Sequence, residues 1–256
     1  MAVCFNIGTK AFNTLKHNYD LVNQYIIFGA TISLTHCCNY CSISHTMFSE
    51  RKTILFLGAH PDDIVLGAGA TIAKLAAKKG KHNLISYTMS KNIEQERQKN
   101  LPKEDKQALK SLGISEKNIY MLDFRTRNFP EDRQHICDML WQIKQKHNPD
   151  IVFTHSEHDI HQDHQVMAAE TKRVFREKTV LAMEVARSQT EFAPHLFIEV
   201  SEKDLNKKIK ALSFYKTFKD LNYTHHETIK AISIARGLQL NKKLVEAFEF
   251  IRYVIY

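Results

Sequence analysis

The stretch LFLGAHPDDIVLGAGA, residues 55 to 70, drives an apolar run into His60, Pro61, Asp62 and Asp63 before it turns Ala/Gly-rich. Adjacent carboxylates repel one another, and each is costly to bury unpaired, so this junction calls for a positive group beside it. A metal ion is the obvious candidate, and it needs more ligands than one turn supplies. A second stretch, THSEHDIHQDHQ at 154 to 165, offers them in His158, His161 and His164. Catalytic zinc takes three protein ligands from His and carboxylate and keeps a fourth position for water. His60 and Asp63 then need one of the three histidines, and spacing alone does not choose which. His161 and His164, three apart on an incipient helix, project to one side, with Asp163 placed to orient one of the imidazoles. Taken alone, an Asp pair after a strand is often a turn that caps a helix. Loop histidines are usually solvated, which is the expectation for His155 and His158 unless they stand behind the ligands.

Alternating strands and helices must position these two stretches. TILFLGA (53 to 59) is an apolar run of strand length, and GATIAKLAAKKG (69 to 80) has helical spacing and a terminal Gly. HNLISYTMS, NIYMLDF and DIVFTHS (150 to 156) read as the second, third and fourth strands. KEDKQALKSLGI (103 to 114) reads as a helix with Pro102 in its first turn and Gly113 at its end. EDRQHICDMLWQIKQKHN (131 to 148) is amphipathic through Ile136, Met139, Leu140 and Ile143, and QVMAAETKRVFR continues as a helix after the second motif. HLFIEV reads as a strand, EKDLNKKIKALSFYKTF as a helix, and KKLVEAFEFIRYVI as helix then strand. The pattern predicts an α/β fold: a Rossmann-like three-layer sandwich with a mostly parallel sheet and helices on both faces. Ligands in such sheets bind beyond the carboxyl ends of the strands, which is where both motifs fall.

AHPDD after a first strand, together with HQDH after a later one, resembles the N-acetylglucosaminyl-phosphatidylinositol deacetylase family, the PIG-L-like or LmbE-like zinc deacetylases. The likeness spans about residues 52 to 253, including KKIKALSFYKT and EAFEFIR. The resemblance implies that His60, Asp63 and His164 bind one zinc ion and that Asp62 is the general base acting on the water zinc activates. It implies that His161 faces the substrate carbonyl, helped by Asp163, and that the reaction hydrolyses an acetamido group on a sugar, releasing acetate and an amine. An imidazolium at His161, held charged by Asp163, would suit a developing oxyanion. Two departures from the family pattern stand out. Ile64 occupies a position where members often carry Glu, and Leu101 one where many carry Arg. Arg97 lies a turn earlier as a substitute, although Pro102 interrupts continuous helix between them. Arg125 and Arg127, in DFRTRNF after the third strand, face the same crevice and are candidates for sugar or phosphate contacts, with a solvated basic turn as the competing reading.

The 256 residues are 43% hydrophobic and 25% charged, ordinary for a soluble globular protein. The net charge of +8 is dispersed among acidic residues and reads as solvated surface. A nucleic-acid binder with a structural zinc would interleave aromatics with Lys and Arg on one face and close a four-ligand site, and neither pattern is present. No stretch reaches the roughly 18 to 20 apolar residues of a membrane span, so a cytoplasmic location is the default expectation. Four of the five cysteines fall in the first 41 residues, so the main domain has no disulfide framework. Residues 1 to 46 read as an extension, with Met47 a candidate start, and 47 to 256 as the deacetylase domain. Cys38 and Cys41 form a CxxC near His36 and His45 but lack a second matched pair. The expected partner is a small amino-sugar or glycoconjugate substrate; a different acylated small molecule or natural product is the alternative. A homo-oligomer is left open, and a His2Asp set accepts other divalent metals besides zinc.

Overall fold

The computed structural model describes residues 47 to 255. The expected extension at 1 to 46, with its CxxC, lies outside the described residues. Seven strands form one sheet: β1 (Thr53–Gly58), β2 (Asn83–Thr88), β3 (Ile119–Met121), β4 (Ile151–His155), β5 (Thr179–Met183), β6 (Leu196–Glu199) and β7 (Val245–Arg252). Among the described residues, six α-helices accompany them: α1 (Asp63–Ala77), α2 (Leu101–Leu112), α3 (Arg133–His147), α4 (Gln162–Val174), α5 (Glu202–Leu212) and α6 (His226–Leu238).

The strand order is β3-β2-β1-β4-β5-β7-β6. The five strands from β3 to β5 are parallel, and β7 is antiparallel to both β5 and β6. The fold is therefore the expected mostly parallel α/β sandwich, with α1, α2 and α5 packed together as one layer and α3 and α4 as another. Covering both faces explains why the central strands β1 and β4 are buried at nearly every position rather than at alternate ones. Leu55, Leu57, Val152 and Val180 meet Ile136, Leu140, Met167 and Val174 in one core. Phe56 stacks on Phe153 at 4.8 Å between ring centres, and Phe153 meets Phe248 edge-on at 5.0 Å.

Helix α1 starts six residues before the expected segment, immediately behind the aspartate pair. Its GAGA run is a packing device. A Cβ on Gly67 would lie 2.5 Å from the Met183 Cβ, and one on Gly69 would lie 2.8 Å from the Lys208 Cγ. The small residues let α1 seat closely on β5 and α5, and that seating fixes where Asp63 stands. The sheet's switch point lies between β1 and β4, whose outgoing connections diverge. Crevices of this kind are the usual ligand position in open α/β sheets.

Candidate active site

The turn after β1 carries the first half of the site. Asp62 has φ +87°, a left-handed conformation that Asp tolerates better than most residues. Its carbonyl accepts the Leu66 N–H at 2.8 Å, so the backbone begins α1. The carboxylate makes no capping bond. It accepts instead from the Tyr223 hydroxyl at 3.2 Å, while the Asp62 N–H donates to Asp105 Oδ1 at 3.4 Å. Capping therefore accounts for the Asp62 backbone but leaves its side chain free for chemistry.

Asp63, the first residue of α1, points its Oδ2 at three imidazoles. His60 Nδ1 is 3.6 Å away, His164 Nε2 3.4 Å and His155 Nε2 3.3 Å. His60 Nδ1 and His164 Nε2 are 3.3 Å apart. Thus Asp63 Oδ2, His60 Nδ1 and His164 Nε2 form a triangle with edges of 3.3 to 3.6 Å. Donors bound to zinc at 2.0–2.1 Å lie about 3.3–3.4 Å apart in a tetrahedron, so one face of such a shell matches this triangle.

The ring nitrogens facing away complete the match. His60 Nε2 is 2.8 Å from Asp163 Oδ2, and His164 Nδ1 is 2.8 Å from Asp159 Oδ2. Each carboxylate accepts a hydrogen bond from one ring N–H and leaves the lone pair of the other nitrogen directed into the triangle, the usual support of metal-binding histidines. Two other groupings bring donors within 4.8 Å of one another: Asp63, His155 and His164, and His60, His161 and His164. The first is disfavoured because His155 Nε2 already accepts the Ala59 N–H at 2.9 Å. In the second, His161 Nδ1 accepts the Asp163 N–H at 3.1 Å as the cap of α4, leaving only Nε2 for a ligand or substrate.

Four carboxylates, Asp62, Asp63, Asp159 and Asp163, are at most 6% exposed. Among the described residues, no Lys or Arg forms an ion pair with any of them. Burial would raise Asp63, but His164 and His155 outweigh it and hold Asp63 well below the ordinary carboxylate range. Burial followed by the Asp63 charge pushes Asp62 well above that range. Neighbouring carboxylates with opposed environments are the arrangement that separates a ligand from a proton acceptor. Burial acts to lower His164, yet Asp63 and Asp159 bring it up to about 10. The cluster thus demands positive charge, which protons or a metal can supply.

His161 departs from expectation. Burial, then His164 and His60, push it down to about 4, so its ring is neutral. The Asp163 carboxylate does not hold it charged, being engaged by His60 Nε2 and by the N–H groups of Arg127 (2.6 Å) and Phe129 (3.2 Å). With Nδ1 accepting, the neutral ring carries its proton on Nε2 and can donate one hydrogen bond. His158 is exposed, as expected, but His155 is fully buried, with its ring stacked on His164 at 3.8 Å.

The site opens into a cavity of about 870 Å³ lined by His60, Asp62, Asp63, His161 and His164. Arg97, Arg125 and Arg127 also line it, together with Arg187, which the sequence did not single out. Arg97 lies in a separate 3-10 turn (Glu96–Gln98) ahead of α2, and its Nε donates to Gln95 Oε1 at 2.9 Å. Arg127 sits at φ +66° in the turn that delivers its N–H to Asp163.

A family model described as PIG-L, GlcNAc-PI de-N-acetylase, matches residues 55–175. An uncharacterized deacetylase of Escherichia coli (strain K12), YaiS, is 31% identical over 180 residues, covering 66% of this chain and 93% of that protein. The chain belongs to the PIG-L family. Among solved structures, an N,N'-diacetylchitobiose deacetylase from Pyrococcus horikoshii superposes with a TM-score of 0.66 at 19% identity, covering 98% of this chain and 95% of that one. GalB, a 4-carboxy-2-hydroxymuconate hydratase of Pseudomonas putida KT2440, superposes at 0.62 and 18% identity over 80% of this chain and 98% of its own. Those likenesses show the fold alone, and a hydratase among them means that chemistry in the PIG-L family must be argued from side chains. No helix among the described residues is long and apolar enough to cross a membrane.

Proposed function

We propose that this PIG-L family member is a metal-dependent N-deacetylase acting on an N-acetylglucosamine-type amino sugar or glycoconjugate. The observation that carries the reading is the triangle of His60 Nδ1, Asp63 Oδ2 and His164 Nε2, with edges of 3.3 to 3.6 Å and a carboxylate behind each imidazole. These three side chains would hold a divalent ion, zinc by preference for the His2Asp donor set. When bound, that ion supplies Lewis-acid activation of water and charge against a developing oxyanion.

The remaining steps belong to the chain's own residues. Asp62, kept out of the triangle and held by Tyr223, takes the proton of the attacking water and returns it to the departing nitrogen. The Nε2–H of His161 donates to the carbonyl oxygen as charge develops there. Asp163 acts through His60, and Asp159 through His164. Asp159→Asn should therefore weaken metal affinity by about 10- to 100-fold with the fold intact, as read by competition with a chromogenic chelator.

Arg125, Arg127 and Arg97 are assigned to the sugar or its anionic substituents. Arg125→Ala and Arg127→Ala should each raise KM by about tenfold, the loss of one charge-assisted hydrogen bond, with kcat and metal content nearly unchanged. A fall in kcat at constant KM would remove them from this role. The reading itself is tested by acetate and free-amine release from a panel of N-acetylated amino sugars, with the metal-loaded chain beside its Asp62→Asn variant. Release by the parent alone supports it, and no release from any member with one metal bound per chain counts against this substrate class.

A further inference from the structure

A second cavity of about 270 Å³ adjoins the first. The two share Leu66, Val185, Arg187 and Tyr223 as lining residues. Their linings differ in kind. The larger one is walled by Asn92, Glu94, Gln95, Thr126 and the arginines, whereas the smaller is walled by Gly67, Ile229, Ile232, Val245 and Ala247. The charged groups on its wall are already matched. Lys208 Nζ is 2.7 Å from Glu246 Oε1, and Glu184 is held by Arg236. Arg187 belongs to the shared wall, with its guanidinium 4.7 Å from the Tyr223 ring centre and its Nη1 donating to the Tyr223 hydroxyl at 3.2 Å.

The position of this wall matters because the same Tyr223 hydroxyl donates to Asp62. The apolar pocket therefore begins next to the proposed proton acceptor. An amide at that point has two arms, the acyl group and the amine-bearing group. The polar cavity suits a sugar, and a pocket with no unmatched charge beyond Arg187 suits hydrocarbon. A methyl group leaves most of 270 Å³ unfilled.

We propose that this pocket takes the tail of an N-acyl group longer than acetyl, with Tyr223 and Arg187 as the partition, so that the chain is an N-deacylase for medium-chain N-acyl amino sugars. The proposal rests on the amide-hydrolase reading and names the acyl side of its substrate. Water adds to the amide carbon, the C–N bond breaks, the acyl group leaves as a carboxylate, and the amine departs protonated.

The test is kcat/KM for N-acetyl-, N-butyryl-, N-hexanoyl- and N-octanoylglucosamine in the parent and in Thr228→Phe and Ile232→Phe. Both residues line the pocket and not the larger cavity, and both are half-buried, so the fold has room for the change. The parent should favour hexanoyl over acetyl by about tenfold or more, given the gain from burying each methylene. Each variant should erase that preference while leaving acetyl turnover unchanged. A parent that favours acetyl, or a hexanoyl preference untouched by both variants, overturns the proposal. Binding of neutral hexanamide, followed by NMR, separates the two readings. If no chain length is cleaved, hexanamide binding that both variants abolish upholds the pocket while the hydrolase reading fails. Absence of binding overturns the pocket as well.

Discussion

Asp62→Asn is expected to keep one metal per chain and to lower kcat by about 10²- to 10⁴-fold, the usual worth of a positioned general base. His164→Ala is expected to lose the metal and all turnover. The two aspartates of HPDD are adjacent in sequence but opposite in surroundings. Asp63 Oδ2 has His60, His155 and His164 within 3.6 Å, whereas the Asp62 carboxylate accepts from the Tyr223 hydroxyl at 3.2 Å. Asn can still accept that hydroxyl and preserve the φ +87° turn, so the substitution removes the proton acceptor and little else. His164→Ala deletes one corner of the triangle and leaves Asp159 without its imidazole. Metal content by atomic emission and product release on the same preparations check both. Equal metal loss in the two variants would refute the division between ligand and base.

That division is what answers the question posed by two carboxylates at the end of an apolar strand. Asp63 is matched by imidazoles that a metal would draw together. Asp62 is turned away by its left-handed backbone and stays available. The AHPDD and HQDH stretches are legible because each is a short polar cluster placed directly after an apolar strand. Asp159 is not legible in the same way. Nothing in SEHDIHQDH distinguishes it from Glu157 until the loop folds back, and only then does it reach His164, the His161 N–H and the Ser188 hydroxyl together. His155, read at the end of the fourth strand and expected to be solvated unless it stands behind the ligands, is the fully buried last residue of β4, where it accepts the Ala59 N–H.

Four of the five parallel strands, with α5 and β6 after them, follow from the sequence pattern, but β5 and α6 do not. TVLAM of β5 mixes strand and helix formers in five residues. HETIKAISIARGL of α6 carries enough β-branched residues to mask its period. The segment KKLVEAFEFIRYVI forms no helix, only a bend leading into β7, and the strand buries both Glu246 and Glu249, residue types normally read as surface. Glu249 is satisfied by the Ser156 hydroxyl at 2.5 Å and the Ala193 N–H at 2.8 Å, which ties the loop after β4 to β7. Tertiary partners of this kind leave no trace in local periodicity.

Glu246 should prove the more costly of the two to remove. Glu246→Ala is expected to destabilise the chain by about 3–5 kcal/mol in urea titration, because it leaves the Lys208 ammonium buried without its counter-charge. Both residues are 6% exposed. Lys208 donates to Glu246 Oε1 and to the Leu66 carbonyl, while Glu246 accepts the N–H groups of Ala70 (3.0 Å) and Thr71 (2.6 Å). The pair is thus threaded into α1, touching the Leu66 carbonyl and the Ala70 and Thr71 N–H groups of that helix. Lys208→Met with Glu246→Leu removes both charges together, so neither is left buried without its counter-charge. The double variant should recover most of the loss, so a cycle built from Lys208→Met, Glu246→Leu and the two together should show a coupling of about 3 kcal/mol, the upper end for residues in contact. Because α1 carries Asp63 at its first turn, Glu246→Ala should also weaken metal binding where the double variant does not. Additive losses from the two single substitutions would mean that the pair contributes independent packing, not a charge-matched brace behind the site.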